Sequence, residues 1–190
     1  GIETDLRDSN GDIVISHNML KPDEKLLTLE QLLEIMNEMN CQYLPLALNI
    51  KADGLGEELL RLLIKYKHTN YFTFDMSLPE LVCQAKLGIR FFAGISDLQP
   101  NLPNENFLNT AIHGVWMDTF GNYSSGYALN ATSFLLQEGK EVCIVSPELH
   151  DQESQRVPMW RLIKQKLPVD CFSLCTDKPL EAREFFSHED

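Results

Sequence analysis

Two acidic residues near the start of the chain have the spacing of a cation-binding pair. Glu3 and Asp5 lie two residues apart in a segment that reads as extended, so both side chains leave the same face. Adjacent carboxylates repel each other unless a cation lies between them. The Asn10-Gly11 pair predicts a tight turn, after which a short apolar run returns His17 toward the two acids. The pattern indicates a metal site with a proton-transfer group beside it.

Residues 1–18 resemble the opening motif of a known enzyme family. A Glu-x-Asp pair, a polar turn ending in Gly, an apolar strand and then a His are similar to the motif of the glycerophosphodiester phosphodiesterases, which belong to the phosphatidylinositol-phospholipase-C-like barrels. The resemblance implies that Glu3 and Asp5 bind a divalent cation and that His17 is one of a catalytic pair. Because these ligands are hard oxygens, the implied cofactor is Mg²⁺ or Ca²⁺ rather than Zn²⁺. The alternative is a polar hairpin in which Glu-x-Asp occurs by chance.

A second part of the resemblance departs from the family at one metal ligand. The family's third ligand is a Glu two residues before a Lys, and here Asn49 precedes Lys51 at the end of an apolar run. Asn supplies a neutral carbonyl oxygen, which can bind Mg²⁺ or Ca²⁺ but adds less negative charge. Asp118 and Glu148, each after an apolar run, are candidate metal ligands that compensate if the barrel brings them close. Lys51 would contact a phosphate oxygen as a point charge, and the alternative is a surface lysine.

The family's second catalytic histidine has no equivalent in this sequence. That histidine lies in a His-Arg-Gly motif at the end of the family's first strand, and no His-Arg pair occurs here. His150, in a Ser-Pro-Glu-Leu-His segment after an apolar run, is the candidate catalytic replacement, and a solvated loop histidine is the alternative. The chain begins with Gly rather than Met, so the sequence also allows the missing strand to lie upstream.

Strand and helix patterns alternate along almost the whole sequence. Strands that alternate with helices indicate a parallel sheet, and functional side chains then lie at the carboxyl ends of the strands. The sequence predicts an α/β fold, as one TIM-barrel-like parallel (β/α) barrel domain over residues 1–190. A full eight-stranded barrel takes about 250 residues, so we expect a barrel that is trimmed or lacks its first strand. A doubly wound open sheet is the alternative.

The predicted elements follow from periodicity and from helix caps. Thr28-x-x-Gln31 and Ser77-x-x-Glu80 have the sequence of capping boxes at the beginnings of two helices. The other predicted helices cover residues 57–66, 128–137, 159–166 and a segment from Pro179. The seven predicted strands are one at Glu3 and Asp5 and those at residues 46–50, 71–74, 89–93, 112–117, 141–145 and 171–175.

The composition restricts the partners of the chain. A formal net charge of −12 over 190 residues argues against nucleic acid, which needs a basic patch, and disfavours adsorption to anionic membranes. No run of about 18 apolar residues exists, so no stable membrane insertion is expected. Five cysteines without a Cys-x-x-Cys motif favour reduced thiols and a cytoplasmic location. The sequence leaves the oligomeric state open.

The resulting hypothesis is a metal-dependent phosphodiester hydrolase that acts on a small-molecule phosphodiester. By the resemblance, the substrate's neighbouring hydroxyl attacks phosphorus, His17 protonates the leaving alkoxide, and Lys51 steadies the non-bridging oxygens. The first alternative is a catalytically impaired barrel that binds a phosphorylated small molecule or headgroup without turnover. Asn49 and the missing His-Arg-Gly motif favour that alternative. The second alternative is a different barrel enzyme, such as an aldolase, in which Lys51 would form a Schiff base.

Overall fold

A computed structural model describes residues 1–99, 112–121 and 127–187. In these ranges strands and helices alternate, and the described strand pairs are parallel apart from one hairpin. The α/β fold with parallel strands, predicted from the sequence, is therefore confirmed. The chain divides into two compact units, Gly1–Phe92 and Ala93–Asp190. A single barrel domain over residues 1–190 stays a prediction. No helix in the described ranges is long and apolar enough to cross a membrane.

The first unit is a four-stranded sheet whose strands alternate with helices. Its elements are β1 (Ile2–Ser9), β2 (Asp12–Ile15), α1 (Leu29–Glu38), β3 (Leu46–Ile50), α2 (Gly56–Lys65), β4 (Tyr71–Phe74) and α3 (Leu78–Leu87). The strand order across the sheet is β2-β1-β3-β4. Strands β1, β3 and β4 run parallel, so their carboxyl ends lie at one edge of the sheet.

The Asn10-Gly11 turn that the sequence predicts joins β1 to β2. Asn10 and Gly11 have φ values of 53° and 92°, as a two-residue hairpin turn of type I′ requires at both central positions. Asn tolerates this left-handed backbone and Gly adopts it freely. The hairpin pairs Leu6 with Ile15, so the residues that follow β2 return beside Asp5.

The register of β1 on β3 separates a core face from a polar face. Leu6 and Leu48 are fully buried in an apolar core that includes Leu33 of α1. Successive side chains of a strand point to opposite faces. Asp5 and Asn49 therefore lie on the other face of the sheet, away from helix α1. Asp5 and Asn49 are also direct partners in the parallel register. The sheet therefore places two candidate ligands side by side.

One of the two predicted capping boxes forms in full. The Thr28 hydroxyl accepts from the Gln31 backbone N–H at 3.1 Å, and the Gln31 side chain accepts from the Thr28 N–H at 3.0 Å. Ser77 caps α3 through the Glu80 backbone N–H. The Glu80 carboxylate, however, accepts from the Gly54 N–H and from Gln84. The second box is therefore only half formed, because the carboxylate has other partners.

The second unit has a sheet with the strand order β5-β6-β7-β8. Its elements are β5 (Phe92–Ile95), β6 (Gly114–Met117), α4 (Tyr127–Gln137), β7 (Glu141–Val145), α5 (Glu153–Lys166), β8 (Ser173–Cys175) and α6 (Pro179–Ser187). A short 3-10 turn, Pro147–His150, follows β7. The apolar core of this unit includes Val115, Ile144 and Ile163, so it lies between strands and helix α5.

Several predicted boundaries differ from the structure. The strand expected at residues 89–93 begins at Phe92, since the Ile89 N–H instead caps the end of α3 by donating to the Gln84 carbonyl. Helix α5 begins at Glu153 rather than Met159, with Pro158 inside it. The last strand begins at Ser173, because Val169–Cys171 forms a 3-10 turn.

Candidate active site

The polar face of the first sheet gathers charged side chains at its carboxyl edge. Asp5 lies on β1, Asn49 near the end of β3, and Lys51 directly after β3. The Lys51 backbone N–H donates to the Leu6 carbonyl at 2.9 Å, which extends the β1–β3 ladder by one residue. Lys51 therefore stays in line with the sheet, and its side chain leaves the same face as Asn49.

His17 and Asp5 form a hydrogen-bonded pair. The Ser16 backbone N–H donates to the Asp5 carbonyl at 3.0 Å, which brings the end of β2 against β1. Nδ1 of His17 then lies 3.0 Å from Oδ2 of Asp5. The Asp5 side chain is 13% exposed, while that of His17 is 78% exposed. With Nδ1–H directed at the carboxylate, the other ring nitrogen, Nε2, is the one that can exchange a proton with a substrate.

Arg7 fixes the backbone that carries His17, and sequence reasoning missed it. Its Nε donates to the Ser16 carbonyl at 3.2 Å, and a terminal nitrogen donates to the His17 carbonyl at 3.1 Å. A guanidinium presents several donors in a fixed planar arrangement, so one side chain can hold two carbonyls of one loop. The signal was present in the sequence, since Arg7 continues the two-residue spacing of Glu3 and Asp5.

Lys51 lies between two carboxylates. Its Nζ is 3.2 Å from Oδ2 of Asp75 and 3.6 Å from Oδ1 of Asp5. The Lys51 side chain is 24% exposed, so it remains accessible to an anionic ligand. Asp75, which directly follows β4, has a left-handed φ of 62°. This conformation is uncommon outside glycine, although Asp adopts it more readily than most residues. The strand-end position of Asp75 was the sequence signal for its place here.

Asn49 carries an acceptor without a partner. The residue is 8% exposed, and its Oδ1 atom is buried with no hydrogen-bond donor among the described residues. A buried polar atom left unsatisfied costs about 1–3 kcal/mol. Such an oxygen, directly beside the Asp5 carboxylate in the register, fits a cation or a donor group supplied by a ligand. Its chemistry is that of a neutral ligand for Mg²⁺ or Ca²⁺.

Glu3 lies on the same strand face as Asp5, opposite Ala47 in the register, and its side chain is exposed. Within the described residues, no group of three His, Cys, Asp or Glu side chains could hold a metal ion. A cation site here would therefore combine carboxylates with the Asn49 amide oxygen. These residues fit a divalent cation because all three offer oxygen ligands, and the charged ligands from β1 are Glu3 and Asp5.

The other predicted site residues belong to the second unit. His150 is hydrogen-bonded through Nε2 to Oδ1 of Asp118, and its ring centroid lies 4.7 Å from that of Phe120. The 3-10 turn Pro147–His150 carries His150, which lies beside Asp118 although the two are 32 residues apart in the chain. Asp118 and His150 are 19% and 26% exposed, so the pair is open to solvent.

Glu148 lies in the same 3-10 turn and is bound by two hydroxyl groups. Ser146 donates to its Oε2 at 2.5 Å, and Thr176 donates to its Oε1. Ser146 in turn accepts from Nε1 of the buried Trp160 at 2.8 Å. The roles of Asp118 and Glu148 as metal ligands, and of His150 as a catalytic group, stay predictions.

The overall fold resembles solved phosphodiesterase structures. A protein from Galdieria sulphuraria, assigned as a glycerophosphodiester phosphodiesterase, has a TM-score of 0.72 at 17% identity and covers 98% of this chain and 85% of its own. The glycerophosphodiester phosphodiesterase of Agrobacterium tumefaciens gives 0.60 at 12% identity, with 98% and 86% covered. A phosphodiesterase of Oleispira antarctica, in complex with its product sn-glycerol-3-phosphate, gives 0.61 at 15% identity, with 98% and 84% covered.

This chain has the fold of these phosphodiesterases. The resemblance read from residues 1–18 therefore agrees with the fold of nearly the entire chain. No protein-family model matches the sequence, and no curated protein matches it significantly. The chain is thus a divergent example of the fold. Asn49 and the absent His-Arg-Gly motif differ from the family motif that residues 1–18 and 46–51 resemble.

Proposed function

We propose that this chain is a phosphoric diester hydrolase that acts on a small-molecule diester of the glycerophosphodiester type. The observation that carries the proposal is the bridging position of Asp5, which contacts His17 on one oxygen and Lys51 on the other. A proton donor and a cation are thereby held beside one carboxylate, at the strand edge where such folds carry their chemistry. The shared fold with glycerophosphodiester phosphodiesterases supports the same conclusion.

In the proposed reaction, Lys51 binds a non-bridging phosphate oxygen. A neighbouring hydroxyl of the substrate gives its proton to a second proton-transfer group and attacks phosphorus. The bond to the departing alcohol breaks, and Nε2–H of His17 gives its proton to the leaving alkoxide. Water then opens the cyclic phosphodiester that results, which yields the glycerol phosphate. Asp5 orients the imidazole ring that donates this proton, since it contacts Nδ1 at 3.0 Å. His150 stays the candidate for the second proton-transfer group, a role that its own substitution tests.

A divalent cation, Mg²⁺ or Ca²⁺, belongs to the proposal. Glu3, Asp5 and Asn49 would hold it, and it would offset the negative charge of the phosphodiester. The buried, unpartnered Oδ1 of Asn49 supports this assignment. With one neutral ligand in place of a carboxylate, we expect weak binding of the cation and slow turnover. Asp118 and Glu148 remain candidate additional ligands.

The experiment is release of glycerol phosphate from a panel of glycerophosphodiesters, with Mg²⁺, with Ca²⁺ and with a chelator. We expect slow release that the chelator abolishes and that Asp5→Ala removes. Rapid turnover that resists the chelator would contradict the cation's role.

Binding without turnover is the second candidate function, and the neutral Asn49 favours it. Calorimetry with sn-glycerol 3-phosphate separates the two candidates. Measurable binding that depends on Lys51, together with no release from any diester, would assign the chain to this second function.

A Schiff-base mechanism fits the structure poorly. The Lys51 ammonium is paired with Asp5 and Asp75, whereas a Schiff-base lysine must present a free amine.

A cytoplasmic location stays part of the proposal. It is supported by the five cysteines, all of which carry free thiols, as expected in a reducing compartment.

A further inference from the structure

Glu80 is a buried carboxylate outside the proposed chemistry. It lies in the first turn of α3 and is 3% exposed. Its Oε2 accepts from the Gly54 backbone N–H at 2.7 Å, and its Oε1 accepts from Nε2 of Gln84 at 2.9 Å. Burying a carboxylate is costly unless hydrogen bonds satisfy it. Its position therefore calls for an explanation beyond helix capping.

The Glu80 carboxylate is anchored to β4 through a buried chain of hydrogen bonds. The Thr73 hydroxyl donates to Oε1 of Gln84 at 2.6 Å, and both residues are fully buried. Thr73 lies within β4, immediately before Phe74. Glu80, the end of the network that contacts Gly54, is therefore connected to the sheet through Gln84 and Thr73.

The segment held by Glu80 is the loop of residues 51–55, between β3 and α2. Gly54 has a φ of 89°, a backbone conformation that disfavours residues with a side chain, and its N–H points to Glu80. A second contact holds the same loop, because the Ser77 hydroxyl donates to Oδ2 of Asp53 at 2.6 Å. The loop is thus fastened to the beginning of α3 at two points.

Lys51 begins this loop, and its ion-pair partner Asp75 precedes α3. The two contacts from α3 therefore fix the separation between Lys51 and Asp75. We infer that Glu80 is a positioning residue, which holds the loop of residues 51–55 so that Lys51 presents its ammonium group to a phosphate oxygen of the ligand. The inference rests on the phosphate-binding role proposed for Lys51.

The network indicates that Glu80 acts by its hydrogen bonds and not by its charge. In Glu80→Gln, the new amide oxygen can still accept from the Gly54 N–H while the amide nitrogen donates to Gln84. Gln84 can then rotate and donate to Thr73, whose hydroxyl also lies 3.4 Å from the Arg90 carbonyl. All donors keep acceptors in that reversed arrangement. Glu80→Leu fills similar space and removes both acceptors.

The test measures the dissociation constant of sn-glycerol 3-phosphate by calorimetry, with unfolding midpoints followed in parallel. Loss of the charge-assisted hydrogen bond between Lys51 and the phosphate corresponds to about a tenfold rise in the dissociation constant. We expect that weakening of binding in Glu80→Leu. Glu80→Gln should bind as the unaltered chain does. Glu58→Leu, at a partly exposed glutamate paired with Arg61 on α2, is the matched control and should also bind normally.

The decisive arm repeats Glu80→Leu in a Lys51→Met background. If Glu80 acts through Lys51, adding Glu80→Leu to Lys51→Met weakens binding of sn-glycerol 3-phosphate no further. Equal weakening in both backgrounds would overturn the inference, because it would show a general structural effect. If the unaltered chain binds no sn-glycerol 3-phosphate, the proposed function fails as well, so the two failures are distinguishable. If Glu80→Leu does not fold, Asp53→Ala removes the exposed contact and must weaken binding only when Lys51 is present.

Discussion

Nδ1 of His17 lies 3.0 Å from Oδ2 of Asp5, across the hairpin that joins β1 to β2. The carboxylate that the sequence motif marks as a metal ligand therefore also orients the imidazole. Its other oxygen faces Lys51 at 3.6 Å. One acid thus links the candidate proton donor, the candidate phosphate ligand and the candidate cation site, so its substitution should affect all three.

The role of His17 as the acid depends on the leaving group. We expect His17→Gln to lower turnover of an alkyl glycerophosphodiester by about 10²- to 10⁴-fold. A diester with a nitrophenol leaving group needs no protonation, so its turnover should fall far less. His113→Gln, at an exposed histidine that begins the β6 region, is the control for both substrates. Equal losses on the two diesters would exclude His17 as the proton donor.

Arg7 should act on catalysis through the loop that carries His17. Arg7→Met removes the donors to the Ser16 and His17 carbonyls, and misplacing a catalytic group by about 1 Å can cost about 10²-fold in rate. We expect kcat to fall by about 10- to 100-fold with a smaller change in KM. Arg61→Met, which removes an exposed helical ion pair, serves as the comparison. A change confined to KM would mean that Arg7 contacts substrate instead.

Substitution of Asn49 tests the cation site without an activity assay. Asn49→Asp places a buried carboxylate beside that of Asp5, so the free energy of unfolding in a chelator should fall by about 1–3 kcal/mol. Excess Mg²⁺ or Ca²⁺ should restore it, which urea denaturation would show. Asn40→Asp is the control, since Asn40 is exposed. Its left-handed φ of 55° is one that Asp adopts as Asn does, so the backbone should not change. A cation response no larger than that of the control would argue against a metal at Asn49.

Much of this site could be predicted from particular residues, and the rest could not. The Asn10-Gly11 dipeptide specifies its own turn type, which is why the return of His17 toward Asp5 was readable. The pairing of Asp5 with Asn49 depends on the register between two strands, and these partners are 44 residues apart in the chain. Register follows from packing of the buried face. The Asp118–His150 contact and the partners of Glu80 depend on tertiary packing in the same way.

His68 should make stability depend on pH. Burial lowers the pKa of this histidine from its ordinary value of 6.5, with its Nε2 3.0 Å from the Asn70 carbonyl. The folded chain then binds fewer protons than the unfolded chain, so the free energy of unfolding falls as the pH drops below about 6.5. Urea titrations between about pH 7.5 and 5.5 should show this slope. His68→Gln, which can still donate to Asn70, should reduce it, and an unchanged slope would assign the effect to other groups.

The most direct test of the central claim is release of the alcohol from glycerophosphocholine by the unaltered chain and by Asp5→Asn. The substitution keeps the size of the side chain while removing the charge that holds His17, Lys51 and the proposed cation. The account predicts slow release that requires Mg²⁺ or Ca²⁺ and falls by at least about 10²-fold in Asp5→Asn. Release that is unaffected by both the chelator and Asp5→Asn would contradict it.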